Sequence, residues 1–213
     1  METRITFFQN RRLVTAMMAA FLAVTAGSLA MAESCEEKFI RLTGEGSPDT
    51  GPVRLHIIQE LKGFPRMENY NYSMGGDVMA SMSEPIEPKN SIWSLFLGTR
   101  MYTSMDGKSW QFVRELDAAS DPGAVRETQR NDAKTSENIV CGEEMLDGIA
   151  HETLEGDYKS SGLQGQGVHQ KYWINRETQW MSKVTTHSVA NGVEADFTQI
   201  IEPWPDLVLP KPE

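Results

Sequence analysis

Residues that build catalytic sites are scarce in this chain, which has two cysteines and four histidines among 213 residues. No GxSxG elbow occurs and no Ser stands three positions before a Lys, so two common serine-nucleophile signatures are missing. His151-Glu152-Thr153-Leu154-Glu155 carries Glu where a helical zinc-protease motif needs its second His. Gly44-Glu45-Gly46 and Gly165-Gln166-Gly167 lack the third glycine and the strand-to-helix setting of a dinucleotide loop, and read as turns. Positive charge is also short. The formal net charge is −10 with no basic stripe, which disfavours nucleic acid and anionic lipid headgroups as partners. No catalytic residue, cofactor or metal ligand set is assigned from the sequence.

What is present begins at the N-terminus. Arg11 and Arg12 precede an uncharged run from Leu13 to Leu29, and Ala30-Met31-Ala32 supplies a small-x-small cleavage pattern, so residues 1–32 read as an export signal cut after Ala32. A transmembrane anchor over Leu13 to Ala32 is the rival, weakened by the run's many Ala, Thr, Ser and Gly residues. Lipidation of Cys35 is a third option, but Ala32-Glu33-Ser34 lacks the apolar residues of a lipoprotein processing site. Residues 33–213 then have the length of one domain with an extended C-terminal tail, and the expected compartment is the periplasm, with no membrane span after cleavage. In such an oxidising place an even cysteine count favours pairing, so Cys35 and Cys141 are expected to form a disulfide. A redox or metal pair is the weaker option, because no CxxC spacing brings the sulfurs together.

Strand signals outnumber helix signals. Val53, Leu55, Ile57 and Leu61 alternate with polar residues; Val78, Ala80 and Met82 repeat the pattern up to Pro85 and Pro88. Ser91 to Leu97, Thr99 to Met105 and Ser109 to Arg114 follow, with Asp106-Gly107 as a two-residue hairpin signal. Further strands are expected at Asn138 to Cys141, Ile149 to Tyr158, Val168 to Ile174, Trp180 to Val189 and Val193 to Ile201, with a turn at Asn191-Gly192. Helices are expected over Cys35 to Leu42 and Gly123 to Lys134, and Pro203 to Pro210 as an extended tail. The fold class is mainly β within α+β: nine to eleven antiparallel strands with one or two helices.

Ser91-Ile92-Trp93, Thr99-Arg100-Met101-Tyr102 before Asp106-Gly107 and Trp110, Asp147-Gly148 leading to Tyr158, and Tyr172 to Thr178 occur in an order that resembles the LolA/LolB-like and LppX-like exported proteins. The resemblance spans about residues 53–205. It implies a curled sheet forming a half-barrel around an apolar cavity, closed by helices, and non-covalent holding of a lipid or acylated ligand in transit. The cavity arginine and apolar lid helices of the lipoprotein carriers have no aligned counterpart here.

Such a role needs inward apolar side chains, since each buried methylene contributes about 0.8 kcal/mol. Trp93, Leu95 and Leu97 share one face of their strand, Trp110 and Phe112 one of theirs, and Tyr172, Ile174 and Phe197 extend the pattern. The plainer reading is that all eight pack a core. His56, His151, His169 and His187 fall one to a strand, permitting a zinc or general-base site only where strands converge. Met67, Met74, Met79, Met82, Met101 and Met105 raise a copper(I) reading, opposed by Met79 and Met82 pointing to opposite faces of a regular strand. Two other functions stay open: a periplasmic hydrolase using a His and a carboxylate, and an adaptor that meets an envelope protein through an exposed sheet edge.

Overall fold

A computed structural model of the chain describes residues 33–46, 51–75, 79–116 and 122–212. The export-signal reading of 1–32, and the expectations resting on Val78 and Asp121, lie outside the described residues. Eleven strands are described: β1 Val53–Leu61, β2 Met67–Ser73, β3 Ala80–Glu87, β4 Trp93–Leu97, β5 Arg100–Ser104, β6 Gln111–Glu115, β7 Glu137–Leu146, β8 Ile149–Ser160, β9 Gln166–Asn175, β10 Met181–Ala190 and β11 Val193–Pro203. Helices α1 (Cys35–Glu45) and α2 (Pro122–Ala133) complete the set, with a 3-10 turn at Ser161–Leu163.

All eleven strands form one antiparallel sheet in the order β6-β5-β4-β3-β2-β1-β11-β10-β9-β8-β7. First and last strands pair at its centre, with Leu55 opposite Ile201 and Ile57 opposite Gln199. Two meanders run outward from that pair, so β6 and β7 are the two edges. Between those edges the chain passes through α2, which packs on β8 and α1. The sheet is open and curled as a half-barrel, with the helices on one face.

Local chemistry sets the ends of α1. Ser34 Oγ accepts from the Glu37 N–H and the Glu37 carboxylate accepts from the Ser34 N–H, a reciprocal capping box that satisfies two otherwise unpaired donors. Gly46 closes the helix at φ 74°, returning its N–H to the Leu42 carbonyl. Phe39 and Leu42 face the sheet, joining Val53, Leu154, Tyr172, Ile174, Val184 and Ile201 in the buried cluster. A Cys35–Cys141 disulfide with a Cα–Cα distance of 6.1 Å ties the first turn of α1 to the edge strand β7.

Strand β3 takes in Pro85, paired with Asn69 beside a register shift on β2, and ends at Glu87, directly before Pro88. Two expectations are corrected. The Asp106-Gly107 pair is not a two-residue hairpin. Residues 105–110 form a longer loop organised by Asp106, whose Oδ1 accepts from the N–H groups of Lys108 and Ser109 and from the Ser104 hydroxyl. Those donors hold its carboxyl far below the usual range. Finally, β2 is a strand that the sequence reading left as connection.

Candidate functional site

Helices α1 and α2 meet at Gly44, where an added Cβ would lie 3.3 Å from the Ala133 Cβ and from the Arg130 backbone, a tight fit that a larger residue could enter only if the helices gave by a few tenths of an ångström. Arg130 forks onto the Glu45 carboxylate at 2.7 and 3.0 Å and fastens the two helices at that crossing. Its hydrogen bond holds the Glu45 carboxyl below its ordinary value. The helix pair covers β7 and β8, and beneath it the inner face is filled at one end and open at the other. At the filled end Phe39 is wholly buried, edge-on to Tyr172 at 5.6 Å, above Gly156.

At the open end lies a cleft of about 390 Å³. Tyr172, Met181 and Val184 form its apolar floor, Leu42 and Thr43 its roof, and Gln129, Gln170, Gln199, Tyr158 and Ser160 its polar margin. The register explains the grouping, because Tyr172 pairs with Val184 and Val184 with Gln199, placing three adjacent strands' side chains in one row. Thr43 Oγ1 and the Tyr172 hydroxyl are 3.1 Å apart. Burial pushes the Tyr172 phenol up, with the Thr43 contact opposing; burial raises Tyr158 as well, helped by the Asp132 charge. Both phenols are therefore neutral at physiological pH. Glu45 and Asp132 also border the cleft, but Glu45 is tied to Arg130 and Asp132 accepts from the N–H and hydroxyl of Ser161. The cleft thus has an apolar floor and a polar edge of amides, phenols and hydroxyls, with the Glu45 and Asp132 carboxylates at its border.

The eight residues expected to line one cavity are divided between the two faces of the sheet. Tyr172, Ile174 and Phe197 lie on the helix-covered face; Tyr172 lines the cleft, Ile174 is buried in the core cluster and Phe197 is half-buried beyond it. Leu95 pairs with Met82, Met82's row runs through Tyr72 to Arg54, and Arg54 alternates with Leu55, a residue packed against the core cluster. Hence Trp93, Leu95, Leu97 and, through Tyr102, Phe112 occupy the opposite face. There they build a second small core. Leu95 is wholly buried, Tyr102 meets Phe112 edge-on at 5.8 Å, and the Gly107 turn folds onto the Trp93 ring. Trp110 precedes β6, with its indole Nε1 buried and unpaired among the described residues. On the same face Arg54 is sandwiched between the rings of Tyr70 at 4.7 Å and Trp204 at 4.3 Å, so the C-terminal tail starts by packing on β1 and β2.

On β2 and β3 the inner face is polar. Asn69, Asn71 and Ser73 on β2 share that side with Ser81 and Ser83 on β3. A chain of hydrogen bonds runs from Gln59 to Asn69 and on to Ser83 at 3.4 and 3.2 Å, while the Asn71 Oδ1 is buried without a partner among the described residues. Sequence reasoning missed this surface and the cleft residues Leu42, Thr43, Gln170, Met181, Val184 and Gln199. One signal was available: Asn69, Asn71 and Ser73 alternate with Tyr70 and Tyr72, a period-two pattern with polar rather than apolar residues on the core side.

The histidines do fall one to a strand, and none lines the cleft. His151 is 2% exposed, held between the Ile149 carbonyl and the Ser182 hydroxyl at 2.9 and 3.0 Å, and serves the packing of β8. His56 pairs with Glu68 at 2.9 Å. Only His169 and His187 are brought together, as direct partners in the β9–β10 ladder.

No family model and no curated protein matches the chain. Among solved structures, an outer membrane lipoprotein-sorting protein domain from Vibrio parahaemolyticus matches at 12% identity and a TM-score of 0.37, over 81% of this chain and 95% of that one. A LolA superfamily protein from Nitrosomonas europaea matches at 14% identity and a TM-score of 0.33, over 83% of this chain and 94% of that one.

Proposed function

We propose that the chain is an exported, periplasmic protein that holds a lipid or another ligand with an apolar part, without covalent chemistry, in the cleft between α1, α2 and the sheet. The observation that carries this reading is the cleft itself, whose apolar floor of Tyr172, Met181 and Val184 is bordered by amides, phenols and the carboxylates of Glu45 and Asp132. Its volume lies within the range of small-molecule sites. Ten buried methylenes contribute about 8 kcal/mol. Association costs roughly 4–15 kcal/mol, so an acyl chain alone is marginal and contacts from the head of the ligand to Gln129, Gln170 and Gln199 decide affinity. An amphiphile fits this division better than a bare hydrocarbon. The Cys35–Cys141 bond supports an oxidising compartment. Among the described residues no helix is long and apolar enough to cross a membrane.

Binding of a fluorescent long-chain fatty acid tests the reading. Met181→Asp places a charge on a partly buried floor position and is expected to weaken binding at least about tenfold, the cost of a poorly compensated buried charge. Phe112→Asp, on the opposite face and 57% exposed, is expected to leave it unchanged. Loss of binding in Phe112→Asp with retention in Met181→Asp would move the site to the outer face; absence of binding by the parent chain would remove the proposal.

A further inference from the structure

A row of chemistry-bearing side chains crosses the outer face of the sheet, remote from the cleft and independent of its reading. Asp157, His169, His187, Asp196 and Glu60 are successive register partners on β8, β9, β10, β11 and β1. One of these contacts is unusual for a structural surface. Asp196 and Glu60 are carboxylates directly opposite each other, an arrangement that repels across a ladder and calls for a cation. Two residues before Asp196, on the same side of β11, Glu194 adds a third carboxylate.

We propose that His187, Glu194 and Asp196 bind a divalent transition-metal ion of the zinc class at the end of the β10–β11 hairpin. One donor atom from each already lies within 4.8 Å of the others, and Nδ1 of His187 is 2.8 Å from Oδ1 of Asp196. Donors on one zinc ion, at about 2.0–2.2 Å from the metal, sit roughly 3–3.5 Å apart, so small side-chain rotations bring this set onto an ion. The metal takes the place of the hydrogen bond between the His187 ring and Asp196. An imidazole with two carboxylates selects zinc and its borderline neighbours over magnesium, which demands an all-oxygen shell. Remaining coordination positions belong to water, because His187 and Asp196 are 42% and 55% exposed.

The neighbours define the competition. Lys62 contacts Glu194 at 2.9 Å on a highly exposed side chain and must yield part of that carboxylate. His169 faces His187 but is claimed from both sides, by Asp157 at 2.8 Å and Glu155 at 3.1 Å, so it is not a ligand. The hairpin supplies rigidity: Asn191 and Gly192, at φ 52° and 80°, make the tight turn that fixes β10 against β11 and so His187 against Asp196.

Titration of the oxidised, exported chain with zinc ion alone, by calorimetry and by competition with a chromogenic chelator, tests the site. One ion per chain is expected. His187→Ala and Asp196→Asn should each weaken binding by about tenfold or more, the usual cost of losing a metal-holding group. His169→Ala and His56→Ala should leave it within about twofold, and Glu194→Gln gives a third reading if either primary variant melts early. Equal affinity in His187→Ala, displacement of zinc by equimolar magnesium, or no stoichiometric binding at micromolar zinc would each overturn the proposal as diffuse attraction to an acidic surface.

Discussion

Reduction of the Cys35–Cys141 disulfide is expected to lower the melting temperature by roughly 10–20 °C. The bond joins residues 106 apart. Loop closure of about that length restricts the unfolded chain by about 4.7 kcal/mol in the chain-entropy account, and each kcal/mol moves a domain of this size by about 2–4 °C. The effect is also local. Cys35 opens α1, the roof of the cleft, and Cys141 sits in the edge strand β7, which has only one neighbour in the sheet. Without the bond α1 is held by Phe39, Leu42, the fork from Arg130 to Glu45 and the Lys38–Glu152 ion pair. Thermal scans with and without reductant, paired with the Cys35→Ser/Cys141→Ser double variant, read this out. Fatty-acid binding should fall with the same treatment, because the loosened element is the cleft's own cover; an unchanged melting curve would show that α1 docks without its tether.

Phe39→Ala is expected to cost about 3–5 kcal/mol, the range for deleting a fully enclosed aromatic ring. Phe39 has no exposed surface and fills the space between α1, Tyr172 and the one position of β8 that carries no side chain. Gly156 is that position. A Cβ there would lie 3.0 Å from Phe39 Cζ and 3.1 Å from Ile139 Cγ1, so Gly156→Ala should destabilise by overpacking, about 1–3 kcal/mol. The pair makes a sharper test than either variant. Removing the ring removes most of the clash, so Gly156→Ala placed in the Phe39→Ala background should cost less than in the parent by about 1 kcal/mol or more. Additive losses in chemical denaturation would mean that the ring and the glycine do not share one packed space.

Period-two alternation was sufficient to place most strands, and Asn191-Gly192, with both residues in the left-handed region, turned where a two-residue hairpin should. Helix α2 lies one residue from its expected span, and the cysteines pair. What alternation could not supply was phase between strands. It puts Trp93, Leu95 and Leu97 on one side of β4, and equally Tyr172 and Ile174 on one side of β9, but only the ladder register between those strands says that the two sides are different faces of the sheet. The aromatic residues that looked like a single lining therefore make two cores. Strand β2 escaped notice because its inward positions are Asn69, Asn71 and Ser73, and a polar inner surface gives no hydrophobic signal. The cleft was equally hidden: Leu42, Tyr172, Val184 and Gln199 are scattered over most of the chain and meet only through one helix docking on three paired strands.

Native mass spectrometry of the oxidised chain, purified from the export compartment without delipidation and then released by organic extraction, tests the central claim most directly. The expected result is one added mass per polypeptide that extraction recovers as an amphiphile with an apolar tail, and that Met181→Asp fails to retain. A bare polypeptide mass, persisting after incubation with extracted envelope lipids, would contradict it.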